Sequence, residues 1–148
     1  MLTIFDVAFP AVTINYLAVL VTAIVSFVIG MIWFSPYVFG NIWQRGMGWD
    51  KVQMEKRKKS MNMTAAMILN FIASFIMIVV LAHLVKYAAP VNFLEAIEVG
   101  CWIWIGFIIT TVIGGVLWEG KKWSWYFVTI GYHLVNLLVA SMILAAWV

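Results

Sequence analysis

The charged residues leave four long stretches of the chain empty, and these stretches constrain the fold more than any other feature of the sequence. Each holds at least 20 residues without Asp, Glu, Lys or Arg: residues 7–44, 60–85, 99–118 and 123–148. A helix rises about 1.5 Å per residue, so about 20 apolar residues cross the hydrocarbon core of a bilayer. The sequence therefore predicts four membrane-spanning helices, near residues 12–33, 62–85, 93–118 and 125–147.

The composition excludes the main alternatives to this fold. The chain is 66% hydrophobic and 10% charged, whereas an average soluble domain is roughly 45–50% apolar and about 25% charged. A soluble domain of 148 residues has too little interior to hide so much apolar surface. Spanning β-strands would alternate apolar and polar residues over segments of roughly ten, and the apolar runs do not alternate. We therefore predict an all-α transmembrane four-helix bundle forming a single domain over residues 1–148.

The basic residues predict the orientation of the bundle. Six lie between the first two predicted spans and two between the last two, while only Lys86 falls on the other side. Because Lys and Arg accumulate in cytoplasmic loops, we expect both basic loops in the cytoplasm and both chain termini outside. The sequence pI of about 9.1 then indicates topology and attraction to anionic membrane lipids, and no nucleic-acid partner is expected. The eight residues on the basic side are Arg45, Lys51, Lys56, Arg57, Lys58, Lys59, Lys121 and Lys122.

The first basic loop carries two helix signals. Ser35 followed by Pro36 is typical of an N-cap and first helical position, and the aromatic residues around them favour the head-group level, so we predict a short interfacial helix over residues 36–45. Asp50 and Gln53 fit a capping box. No helix breaker follows, so the second spanning helix is predicted to begin near Lys51. The basic run is interpreted as a topology anchor, with a partner or lipid signal as the alternative.

Small residues recur every four positions on two of the predicted spans and indicate faces where helices approach closely. Such a bundle leaves little room for an internal pore, which favours a homo-oligomer. The first span carries Ala18, Thr22, Ser26 and Gly30, the third Gly106, Thr110 and Gly114, and the fourth offers Tyr132, Asn136 and Ala140.

Polar residues inside the predicted spans form one candidate site. Six of them fall at a similar depth, roughly 10–17 Å from the basic side at about 1.5 Å per residue. Polar groups are costly in a membrane and often functional, and His133 is the member that can titrate. We predict a layer that binds a small ligand or relays protons; an interhelical hydrogen-bond clasp is the alternative. The layer comprises Ser26, Asn70, Thr110, Thr111, His133 and Asn136.

A second candidate is an outer polar rim of His83, Glu95 and Glu98, which could ligate a divalent cation or exchange protons. The alternative is that acids in the first turn of a helix complement its dipole. The single cysteine, Cys101, gives no metal-site pattern, and no cofactor is expected.

Several motifs resemble those of a bacterial family of small four-span membrane proteins known only as a domain of unknown function. They are Gly30-Met31-Ile32-Trp33-Phe34-Ser35-Pro36, Trp104-Ile105-Gly106-Phe107 and Gly131-Tyr132-His133. The resemblance implies an inner-membrane location and four helices, and it carries no activity. Its signature positions here are Asn15, Trp33, Ser35, Pro36, Gly40, Trp43, Trp104, Gly106, Phe107, Tyr132 and His133.

The sequence is compatible with two functions. One is binding or transport of a small ligand or ion by a homo-oligomer. The other is a structural or accessory role, in which small-residue faces associate with another membrane protein. An enzyme is not expected, because no nucleophile and base can be placed together from the sequence.

Overall fold

A computed structural model describes residues 12–147, and six helices dominate this part of the chain. Four are long and apolar enough to cross a membrane: span 1 (Tyr16–Trp33), span 2 (Met63–Ala88), span 3 (Phe93–Leu117) and span 4 (Trp123–Ala146). The other two are the loop helix (Gly40–Gly46) and the basic helix (Lys51–Ser60). The all-α prediction is confirmed, and the four long helices indicate a membrane protein. Residues 1–11 and 148 lie outside the described part, and with them the predicted chain termini.

Asparagine side chains set where three of the spans begin. Asn15 Oδ1 accepts from the backbone N–H of Leu17 at 3.1 Å, which starts span 1 at Tyr16 rather than at the predicted residue 12. Asn62 and Asn92 cap spans 2 and 3 in the same way, through N–H groups three residues further on. Capping satisfies N–H groups that the first helical turn cannot bond internally.

The predicted continuous second helix is wrong, although its start is right. The basic helix begins at Lys51, and Asp50 and Gln53 form the predicted capping box. It ends at Ser60, however, because Met61 is extended with ψ of 126°. Asn62 then caps a new helix. An Asn side chain that bonds a backbone N–H can end one helix and start another without Gly or Pro.

The loop helix also starts later than predicted, at Gly40 instead of residue 36, and Ser35 is not its side-chain cap. The Ser35 carbonyl accepts from the backbone N–H groups of Val38 and Gly40, at 3.2 and 2.9 Å, so residues 34–39 form turns. A Cβ on Gly40 would collide with the Phe34 carbonyl and lie 2.7 Å from that of Ser35. The compact turn therefore requires glycine at position 40.

Span 4 is the centre of the bundle and contacts the other three spans and the loop helix. On span 1 the small-residue face is inside the bundle, because Ala18, Thr22 and Ser26 are all buried. Gly30 continues this face, and a Cβ on it would lie 3.2 Å from the Tyr132 hydroxyl. The predicted close approach is confirmed for spans 1 and 4. At Gly106 of span 3 it is wrong among residues 12–147, because a Cβ there would meet nothing within 4 Å.

The basic end of the bundle, defined as the end that carries the loop helix, the basic helix and residues 118–122, is joined at Trp125. A Cβ on Gly46 would lie 2.6 Å from Trp125 Cβ, and one on Gly115 would lie 2.5 Å from the Trp125 ring. The Lys122 N–H donates to the Gly46 carbonyl at 2.8 Å. Lys121 Nζ lies 4.2 Å from the centre of the Trp125 ring, within cation–π distance. Two glycines therefore let span 4 pack against the loop helix and span 3.

We expect Gly46→Ala to lower the free energy of unfolding in detergent by about 1–3 kcal/mol, the usual cost of overpacking a rigid contact. Gly114→Ala is the matched control, because its nearest outside atom would lie at an ordinary 3.8 Å. Denaturant titration of the purified variants measures the difference. Equal stability of the two variants would show that the Gly46 contact with Trp125 is not tight.

Candidate ligand cleft

The structure does not bring the six residues of the predicted polar layer into one site. Ser26 and Asn136 are buried and His133 is half-buried. Thr110 and Thr111 are exposed on span 3, and the Thr110 hydroxyl donates to the Gly106 carbonyl of its own helix at 2.7 Å. The two threonines are thus separate from the buried pair. Asn70 is also exposed, but it lines a cleft.

This cleft lies between spans 1 and 2, near the basic end, with Tyr132 of span 4 among its lining residues. Its volume is about 280 Å³. The Asn70 amide and the Tyr132 hydroxyl are its polar side-chain groups, and neither makes a hydrogen bond with another residue in 12–147. The full lining is Phe27, Gly30, Met31, Phe34, Ala66, Met67, Asn70 and Tyr132.

Aromatic packing fixes the position of Tyr132 in the cleft. Its ring centre lies 5.1 Å from that of Phe34 and 4.9 Å from that of His133. Gly30 leaves the space that the Tyr132 hydroxyl occupies, since a Cβ there would be 3.2 Å from this oxygen. Phe27 packs edge-on against Phe71 of span 2, with ring centres 5.7 Å apart. The hydroxyl is therefore held by rigid neighbours and left without a protein acceptor in the described chain.

Asn136 lies one helical turn beyond Tyr132 on span 4. Asn136 is 1% exposed, and neither its amide nitrogen nor its amide oxygen has a hydrogen-bond partner in the part of the chain described. His133 Nδ1 is likewise unpartnered there. The predicted clasp is therefore not formed between these side chains.

The side chains of the outer polar rim make hydrogen bonds to residues within four positions along the chain. His83 Nδ1 lies 2.7 Å from the Val79 carbonyl one turn earlier. Glu95 accepts from the Val91 N–H and the Asn92 amide, at 2.8 and 3.1 Å, as part of the cap of span 3. Glu98 is exposed and accepts from the Trp102 indole at 3.3 Å. Among residues 12–147, no group of three His, Cys, Asp or Glu could hold a metal ion.

Two signature residues, Trp33 and Trp104, are bonded to the backbone of span 4. The Trp33 and Trp104 indoles donate to the Val128 and Ile130 carbonyls at 3.1 and 2.7 Å. Trp104 also begins a π-helical segment, Trp104–Ile109, whose Ile109 carbonyl accepts from the Tyr126 hydroxyl at 3.2 Å. These bonds hold spans 1 and 3 against span 4.

Gly30, Phe34 and Tyr132 line the cleft but were not predicted to belong to a ligand site. Gly30 and Phe34 lie one turn apart in the first motif, and Tyr132 precedes His133 in the last one. The two motifs thus contained these residues, but a motif does not show that it meets another one across antiparallel helices.

We expect Asn136→Leu to raise the free energy of unfolding by about 1–3 kcal/mol, because it removes a buried amide that lacks a hydrogen-bond partner and keeps a similar volume. Asn70→Leu is the control and should change stability little, since Asn70 is exposed. Denaturant titration in detergent measures both. A loss of stability in Asn136→Leu would show that the amide is bonded in the folded protein.

The comparisons with known proteins agree with the resemblance on which the signature residues were chosen. No curated protein and no solved structure matches the chain. A family model described as "Protein of unknown function (DUF1761)" matches residues 17–145, a range that contains every signature position except Asn15. The chain therefore belongs to this family.

Proposed function

We propose that this membrane protein binds a small, neutral amphiphile in the cleft between spans 1 and 2. The observation that carries the proposal is the pair formed by the Asn70 amide and the Tyr132 hydroxyl. Both line an apolar cleft at membrane depth, and neither is hydrogen-bonded to another described residue. A ligand with one donor or acceptor group supplies what they lack.

The lining determines the chemical class of the ligand. It contains no charged side chain, so an ion entering the cleft would lose its hydration without gaining a counter-charge. The remaining walls are aromatic, methionine and alanine side chains, which suit an apolar body. A volume of about 280 Å³ is just below the usual range for ligand pockets, about 300–1,000 Å³, so the ligand must be small.

Binding fits the cleft better than catalysis does. Its lining holds no carboxylate, cysteine, serine or histidine that could act as nucleophile or general base. Spans 1 and 2 form its two sides, and both face the region where lipid would lie. We therefore place ligand entry sideways from the membrane, in the leaflet next to the basic end.

The orientation is part of the same proposal. The basic loops contain eight of the nine Lys and Arg residues, which supports a cytoplasmic position for the basic end in a bacterial inner membrane. The cleft then opens to the cytoplasmic leaflet.

Photolabelling with a diazirine derivative of 1-dodecanol tests the cleft. We expect saturable labelling of Met31 and Met67 in the purified protein, competed by unlabelled 1-dodecanol. Asn70→Leu and Tyr132→Phe should each weaken the apparent affinity about fivefold, the value of one net hydrogen bond of about 1 kcal/mol. Ala66→Trp, which fills the cleft, should abolish saturable labelling.

The matched control is Thr64→Val, which removes an exposed polar group from span 2 outside the cleft. It should leave the affinity unchanged. Labelling that does not saturate, or that is equal in all four variants, would overturn the proposal.

A second candidate function is association between copies of the chain through span 3. Gly106 has open space where a side chain would lie, and its neighbour Phe107 is 70% exposed. Thr110, one turn further on, is exposed as well. Small residues beside a large aromatic one allow helices to approach closely in lipid, and no helix of the described chain uses this face.

Energy transfer between labelled copies in vesicles tests this association. We expect Gly106→Leu to weaken self-association about tenfold, since a large side chain forced into a close contact typically costs about 1–3 kcal/mol. Ala73→Leu, at an exposed small residue of span 2, is the control and should have no effect. Energy transfer at the level of random mixing in the unsubstituted protein would exclude this candidate.

A further inference from the structure

The basic helix is the most strongly charged surface of the described chain. Its ten residues include five Lys and Arg but only one acid, Glu55, and none of them is buried. The ion pair found among residues 12–147 is elsewhere, between Lys121 and Glu119 at 2.6 Å. The cations of the basic helix therefore have no carboxylate partner in this part of the protein.

A pocket of about 310 Å³ lies between the basic helix and the loop helix. Its walls are mainly apolar, and Arg57 and Lys58 supply its two cations. Arg57 also lines a neighbouring depression together with Lys56. An apolar pocket with cations fits a molecule that is apolar at one end and anionic at the other. The lining residues are Trp43, Gln44, Met47, Trp49, Met54, Arg57, Lys58, Met61 and Met63.

The pocket lies at the level where the spans end. Met63 is the first residue of span 2, and the extended backbone at Met61 separates it from the basic helix. Trp43 and Met47 on the other wall pack against the cluster of Trp125, Tyr126 and Ile130 at the basic end of span 4. Because tryptophan favours the membrane–water interface, this is the depth of phospholipid head groups.

We propose that this pocket binds an anionic phospholipid of the surrounding membrane. Its phosphate lies at Arg57 and Lys58, and its glycerol and the start of an acyl chain lie against the methionine and tryptophan walls. Arg and Lys recognise phosphate by charge-assisted hydrogen bonds. Methionine side chains adapt to flexible apolar partners. A wholly polar anion would leave the apolar walls uncovered.

Native mass spectrometry of the protein in detergent, with added phosphatidylglycerol or phosphatidylcholine, tests the site. We expect one phosphatidylglycerol to bind at least tenfold more tightly than phosphatidylcholine. Arg57→Gln with Lys58→Gln should reduce this preference by on the order of 10- to 30-fold, given about 1 kcal/mol for each basic residue at an anionic surface. Met54→Trp, which fills the pocket and keeps the charge, should weaken binding of phosphatidylglycerol.

The control is Lys51→Gln with Lys59→Gln, which removes two charges from the same helix at residues that do not line the pocket. It should keep most of the preference. An equal loss in both double variants would mean general surface attraction, and would overturn the site. Full competition by inorganic phosphate at millimolar concentration would also overturn it, because a free anion would then suffice.

Discussion

The close approach of spans 1 and 4 is the contact on which the other features depend. Lipid gives helices no hydrophobic reason to associate, so packing at small residues has to hold them together. The face of Ala18, Thr22 and Ser26 is buried, and Gly30 at its end fits against Tyr132 of span 4. This contact sets the register in which the Trp33 indole reaches the Val128 carbonyl. The cleft exists because span 2 contacts the same pair without covering Tyr132.

A second close contact, at Trp125, fixes the arrangement of the helices at the basic end. Gly46 and Gly115 meet the backbone and the ring of Trp125, so the loop helix is fixed to the bundle although it follows a run of turns. The basic helix has no comparable close contact in the described part of the chain and no buried residue. In the pocket between these two helices, the wall formed by the loop helix is therefore fixed to the bundle. The wall formed by the basic helix is held mainly by the capping box of Asp50 and Gln53 and by its link to span 2. A bound phospholipid would add contacts where the protein has few.

The features that the sequence predicted well are those that depend on local signals. The charge-free stretches predicted the four long helices, and the capping box predicted the helix start at Lys51.

Counting residues also predicts how deep a side chain lies along a helix, but it does not predict which side of the helix faces the bundle. Thr110 and Thr111 are at the predicted depth and yet exposed on span 3. A π-helical segment, Trp104–Ile109, precedes them, and its wider i→i+5 bonding shifts the faces of all later residues from the α-helical period. Asn70 and Tyr132 line one cleft because of tertiary contacts between spans, which no single stretch of sequence encodes.

The cleft between spans 1 and 2 has no charged lining residue and the pocket beside the basic helix has two, but the two cavities are neighbours. Phe34 lines the cleft and Trp43 lines the pocket, and their rings meet edge to face with centres 5.6 Å apart. Phe34 also contacts the Tyr132 ring, and Trp43 packs on the Trp125 cluster. A ligand that moves either ring therefore changes the wall of the other site. Linkage requires that such an effect be equal in both directions: a phospholipid that favours amphiphile binding is itself bound more tightly when the cleft is filled.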